Sequence, residues 1–177
     1  MKFRNTIVIG AISLFLILGS CSKRNQVFME KGEYIIFGHF YGFCQGEHCI
    51  EIFKLTGDQL YEDRNDTYPS SESPYNGDFE AMAQEKYQKV RSLANKVPRE
   101  LLNNTEHLIG APDAADGGGI YFEYAMGGKR HYWLIDQMDD NIPEYLRPFK
   151  EEINKAIEKI SDTPAINNKL PGMDEGD

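Results

Sequence analysis

The chain has 177 residues, a formal net charge of −9 and a sequence pI near 5.0, with 41% hydrophobic and 12% aromatic residues. That is the length of one domain with tails, and the apolar content is enough for a packed core, which excludes a fully disordered chain. The acidic balance excludes the basic footprint of a nucleic-acid binder, and a mean hydropathy of −0.52 excludes a multi-span membrane protein.

The amino terminus reads as an address. Met1 to Asn5 carries Lys2 and Arg4 and no acid, and Thr6 to Leu18 is apolar apart from Thr6 and Ser13. A basic start before a short apolar run is the layout of a secretory signal peptide. As a helix the run reaches only about 20 Å, against about 30 Å of hydrocarbon in a bilayer, too short for a permanent span. Leu18-Gly19-Ser20-Cys21 follows directly. These four residues resemble the lipobox of a bacterial lipoprotein precursor. The resemblance implies that residues 1–20 are removed as a signal peptide and that the Cys21 thiol takes a diacylglyceryl group. Several acyl chains on one residue anchor stably, because each buried CH₂ contributes about 0.8 kcal/mol. It further implies a Gram-negative envelope lipoprotein, and Ser22 in place of Asp after the cysteine implies the outer membrane. Residues 21–31 then form the lipidated cysteine and a polar tether. Cleavage removes Lys2 and Arg4 and no acid, so lipid rather than surface charge must hold this acidic body at a membrane.

With Cys21 lipidated, Cys44 and Cys49 remain as an even pair in an oxidising compartment, which points to a disulfide across Gln45-Gly46-Glu47-His48. Gly46 can supply the positive φ such a loop needs. Free thiols and a metal site are the alternatives. His39, Cys44, His48 and Cys49 lie close in sequence and are soft or borderline donors, but H-x4-C-x3-H-C is no zinc signature. Adjacent His48 and Cys49 would also point to opposite faces of a strand.

Glu33 to Phe43 is aromatic and β-branched, and Cys49 to Thr56 partly alternates, so the two predict a hairpin whose connection carries the cysteines. Leu60 to Asp63 predicts a short third strand, and Arg64 to Asp78 a loop rich in Asn, Ser, Pro, Tyr and Asp. Phe79 and Met82 fit a short strand before a helix over Gln84 to Lys96, where Tyr87, Val90, Ala94 and Val97 form one apolar stripe. Pro98 ends that helix or starts a further turn over Arg99 to Asn103. Ile120 to Met126 and Lys129 to Asp136 predict a hairpin closed by Gly127-Gly128. Its register puts Phe122 opposite Trp133, Tyr124 opposite His131 and Ile120 opposite Ile135 on one face. Glu123 opposite Tyr132 and Ala125 opposite Arg130 fall on the other, wetter face. Asn141 is placed to cap a helix starting at Pro143, with Ile142, Leu146, Phe149, Ile153, Ala156, Ile157 and Ile160 at helical spacing, bent or restarted at Pro148.

The order β-β-β-α-β-β-α predicts an α+β domain over residues 32–160, an antiparallel sheet of about five strands with two main helices on one face. Residues 161–177 read as a disordered acidic tail. In layout the body resembles small bacterial envelope domains of unassigned function, which implies no activity.

Candidate chemistry is sparse. There is no G-x-S-x-G nucleophile, and a Cys/His hydrolase would lose its thiol to the disulfide. Asp113 and Asp116, before Gly117-Gly118-Gly119, could bind a hard cation but lack EF-hand spacing and fit an Asp/Gly turn. No cofactor is implied. The aromatics are the remaining signal. Phe37, Phe40, Tyr41, Phe43, Phe53 and Tyr61 load the first strands, and Tyr68 and Tyr75 sit in the long loop, which either covers some of them or exposes a sticky surface. Phe40, Tyr41, Tyr68 and Tyr75 are therefore the candidate binding surface of a non-catalytic, lipid-anchored module for an envelope protein or glycan. A small hydrolytic or metal-dependent enzyme using the Asp113/Asp116 region is the alternative. A redox role would need a reducible Cys44–Cys49 pair.

Overall fold

A computed structural model describes residues 29–161. The expected signal peptide over residues 1–20, Cys21, most of the expected tether and the expected tail from residue 162 onward lie outside the described residues. The chain is α+β, and the element order is β1 (Tyr34–Phe40), β2 (Ile50–Thr56), β3 (Leu60–Asp63), β4 (Phe79–Ala81), α1 (Gln84–Val90), α2 (Arg99–Leu102), β5 (Leu108–Ile109), β6 (Gly119–Met126), β7 (Lys129–Asp136) and α3 (Arg147–Ile160). All strands join one sheet in the order β4-β3-β2-β1-β6-β7-β5.

The expected five-stranded antiparallel sheet with two helices is thus corrected to a seven-stranded mixed sheet with three helices. The additions are short edge elements. β5 has two residues and pairs parallel to β7, and α2 is a single turn. The two residues of β5 hold no full period of apolar alternation, so β5 leaves no pattern in sequence, whereas α2 forms where Pro98 is expected to start a turn over Arg99 to Asn103.

The central hairpin forms in the expected register, with Phe122 opposite Trp133, Tyr124 opposite His131 and Ile120 opposite Ile135. Gly127 and Gly128 both take positive φ, 60° and 73°, the backbone that a two-residue connection between twisted strands requires. β1 inserts between this hairpin and β2, antiparallel to both, so its residues are enclosed on both edges.

Alternation then sorts the side chains. Ile35 and Phe37 of β1, Phe53 and Leu55 of β2, Ile120 and Phe122 of β6, and Trp133 and Ile135 of β7 share one buried core with all three helices. Phe149 packs edge-on against Phe122 at 4.9 Å, and Ile153, Ile157 and Ile160 extend the same stripe. α3 starts at Arg147 with Pro148 in its first turn, where no backbone donor is needed, so Pro148 restarts the helix rather than bending it. Asn141 does not cap it. Its amide nitrogen donates to Asp136 at 2.7 Å, and residues 139–141 and 144–146 form separate 3₁₀ turns. The first helix is also shorter than its stripe: α1 ends at Val90 and Leu93–Lys96 continues as a tight 3₁₀ turn. Val97 must be extended before Pro98, and the chain tightens ahead of it.

The opposite face is not wet. Ile36, Phe40, Ile52, Tyr121, Tyr132 and Leu134 form a second buried cluster, and Tyr75 of the 64–78 loop seals it. Tyrosine hydroxyls and acids carry the polar load there. Tyr121 Oη donates to Glu123 at 2.7 Å and accepts from the Tyr75 amide at 2.9 Å, while Tyr132 Oη donates to the Ser71 carbonyl. Glu123 is 0% exposed and also receives Tyr34 Oη and Arg130 Nε. Burial, and then the Glu123 charge, raises the hydroxyl pKa of Tyr121, so it stays a donor. Polar residue types disguised this layer as surface, because a buried polar group that is fully hydrogen-bonded is tolerated.

Candidate functional site

Three loops meet at the end of the sheet where β1 stops. The first, Tyr41 to Cys49, leaves β1 and returns to β2. Its base is closed by the Tyr41 amide donating to the Cys49 carbonyl at 2.9 Å and by the Cys44–Cys49 disulfide. The expected pairing is present. Closing so short a ring stabilises by about 2 kcal/mol in the chain-entropy account. Gly46 takes φ 115°, as the loop requires, and residues 47–49 wind into one 3₁₀ turn.

The second loop contributes Tyr68 and the third contributes Asp113. The Asp113 carboxylate joins all three. One oxygen accepts the Gly42 amide at 2.8 Å and Tyr68 Oη at 2.8 Å, and the other accepts the Gly118 amide at 3.0 Å. Asp113 itself sits in the left-handed region, φ 60°, as do Ala115 and Asp116. Tyr68 packs edge-on against Phe40 at 5.1 Å, and its hydroxyl pKa is pushed up to about 12 by partial burial and by Asp113. Gly118 lies directly against the Tyr41 ring, and a Cβ there would overlap it. The glycine run therefore seats aromatic rings.

The candidate residues divide clearly. Phe40 and Tyr75 are 1% and 7% exposed and belong to the second core, so neither can contact a partner directly. The alternation that sends Phe40 outward is correct, but the long loop covers that side. Tyr41 is half-buried and Tyr68 is 46% exposed. Phe43, noted in sequence only as one aromatic among several, is 86% exposed and directly precedes Cys44, between the Gly42 contact to Asp113 and the disulfide. Its signal was position: β1 ends at Phe40, so strand alternation has no hold three residues later. Asp113 is used as a hydrogen-bond hub, and Asp116 is exposed beside it.

His39 lies behind the first loop. Its Nε2 is 3.0 Å from the His48 carbonyl and 3.2 Å from Glu51 Oε2. Burial lowers its pKa more than the His48 carbonyl and the Glu51 charge raise it. A polar cleft of about 610 Å³ opens along β3 and β4, lined in part by Glu51, Arg64, Glu80 and Lys86. Within it Arg64 pairs with Glu80 at 3.3 Å, an ion pair exposed on both sides.

The chain matches no protein-family model, no curated protein and no solved structure. Among the described residues no helix is long and apolar enough to cross a membrane.

Proposed function

We propose that this chain is a lipid-anchored envelope protein whose α+β domain is a non-catalytic binding module. It recognises an envelope protein or glycan with the loop cluster at the end of β1. One observation carries the reading: Phe43 is 86% exposed on a loop held by both a disulfide and Asp113. A large apolar side chain in water is unfavourable, and fixing it on a stiff loop reduces the entropy lost when a partner covers it. Tyr68 stands on the neighbouring loop and adds an amphipathic ring with a hydroxyl, which suits protein or glycan surfaces. Acyl chains on Cys21, buried in the hydrocarbon of the outer membrane, supply the anchor, and the tether lets the domain reach its partner.

The test is a photo-reactive amino acid at position 43 in intact cells, with position 155 on the exposed side of α3 for comparison. A discrete crosslinked species is expected from position 43 and not from 155. Phe43→Ala should reduce capture through a second probe at Tyr68 while changing stability by no more than about 0.5 kcal/mol. Identical crosslinking patterns from the two positions would refute the reading. The anchor is checked separately by mass spectrometry of the chain from its native host. An acylated Cys21 at the mature amino terminus is expected, and an intact, unmodified Met1 start rejects the lipoprotein assignment.

A further inference from the structure

We propose that the Cys44–Cys49 loop is a redox-gated site for a borderline-to-soft metal ion, Zn²⁺ or Cu⁺, with Cys44, His48 and Cys49 as its ligands. The proposal does not depend on the binding reading above. Among the described residues, the sulfurs of Cys44 and Cys49 and a ring nitrogen of His48 all lie within 4.8 Å of one another. On one tetrahedral zinc, with Zn–S near 2.3 Å and Zn–N near 2.0 Å, ligand atoms stand roughly 4 Å apart. The three donors are therefore close enough to converge on one ion after a small separation of the sulfurs.

Besides a spacing that matches no zinc signature, the sequence argues against such a site because neighbouring His48 and Cys49 would face opposite ways in a strand. They are not in a strand. Residues 47–49 form a 3₁₀ turn, and the His48 ring folds back over Gly46, 3.0 Å from where a Cβ of that residue would lie. The turn thus brings the imidazole round to the sulfurs.

Reduction does not disperse the donors, because hydrogen bonds hold the loop independently of the disulfide. The Cys49 amide donates to the Gly46 carbonyl at 3.1 Å, the Tyr41 amide to the Cys49 carbonyl at 2.9 Å, and the Gly42 amide to Asp113 at 2.8 Å. Behind the turn, His39 Nε2 meets the His48 carbonyl at 3.0 Å. The Cα atoms of the two cysteines are 5.6 Å apart and stay near that value while these contacts persist.

The chemistry closes. A dithiol reductant gives two electrons and two protons to the Cys44–Cys49 bond, and becomes a disulfide itself. The two thiols formed then lose their protons to solvent as the metal binds, and neutral His48 adds its lone pair. Two thiolates and an imidazole leave a fourth position for water or an external ligand. In the oxidised chain the sulfurs are bonded to each other and the site is closed.

The experiment uses the full chain in detergent, with Zn²⁺ as the probe and a water-soluble phosphine as reductant. One Zn²⁺ per reduced chain is expected, with two protons released, and at least hundredfold weaker binding to the oxidised chain. His48→Ala should weaken the reduced site at least tenfold, and His107→Ala, on a distant strand edge, should leave it unchanged. Equal zinc uptake in both redox states, no tight uptake on reduction, or indifference to His48→Ala would each overturn the proposal. Loss of the native near-ultraviolet circular dichroism on reduction would overturn it as well, since the site needs the folded turn.

Discussion

Arg130→Ala is expected to lower the stability of the domain by about 3 kcal/mol, the lower end of what removing one partner of a buried ion pair costs. Glu123 is 0% exposed under the long loop, and Arg130 Nε lies 2.7 Å from its carboxylate. The Arg130 side chain is itself half in solvent, which screens the attraction and argues against a larger figure. The cost arises at the other end. Without Arg130, a buried carboxylate keeps only the hydroxyls of Tyr34 and Tyr121 as donors. At about 3 kcal/mol the melting temperature should fall by roughly 10 °C. The mechanism is separable from lost packing. In the double variant Arg130→Ala with Glu123→Gln, no charge is stranded: the amide oxygen accepts from one tyrosine hydroxyl, and the amide nitrogen faces the oxygen of the other. It should be more stable than Arg130→Ala alone. A double variant no more stable than the single would reject the stranded-charge account.

That buried pair also marks where the sequence was hard to read. The β6–β7 hairpin was legible residue by residue because two constraints agree: Gly127-Gly128 allow only a tight turn, and alternation about that turn then sets every partner. The same alternation assigned Glu123, Arg130 and Tyr132 correctly to one face. It could not say what covers that face. The cover is the loop from Arg64 to Asp78, with no periodicity of its own. It is fastened by long-range hydrogen bonds, the Tyr75 amide to Tyr121 and Tyr132 to the Ser71 carbonyl.

The candidate site shows the same division. The Cys44–Cys49 pairing follows from cysteine number and proximity, both of which are visible in sequence. The hub at Asp113 does not. Its three donors come from Gly42, Tyr68 and Gly118, and only the last is near it in the chain. An Asp before a glycine run looks the same whether it turns the chain, holds an ion or fastens distant loops. Exposure of Phe43 rather than Phe40 was equally hidden, since it depends on where β1 stops and where the long loop lies.

Asp63→Ala is expected to release that covering loop and to cost about 3 kcal/mol, because three donors lose a charged acceptor at once and hydrogen bonds to charged groups contribute about 1.5–3 kcal/mol each without being additive. Asp63 is buried at the end of β3. One of its oxygens accepts Tyr75 Oη at 2.6 Å and the Asp66 amide at 3.0 Å, and the other accepts the Asp78 amide at 2.6 Å. The two amides lie near the two ends of the loop, and Tyr75 is the side chain that plugs the second core. One carboxylate therefore fixes both the entry and the exit of the segment and the plug between them. Tyr75→Phe removes a single hydroxyl while keeping the ring and both amide contacts, so it should cost only about 1.5 kcal/mol. Limited proteolysis separates local from global effects. Cleavage within residues 64–78 should appear early in Asp63→Ala and stay slow in Tyr75→Phe, although both remain folded. The released loop also carries Tyr68 away from Phe40 and Asp113, so crosslinking from a probe at position 68 should fall in Asp63→Ala while a probe at Phe43 retains more of its signal. An Asp63→Ala chain that melts within about 1 kcal/mol of the parent and resists cleavage in the loop would show that apolar contact of Tyr75 alone holds the cover in place.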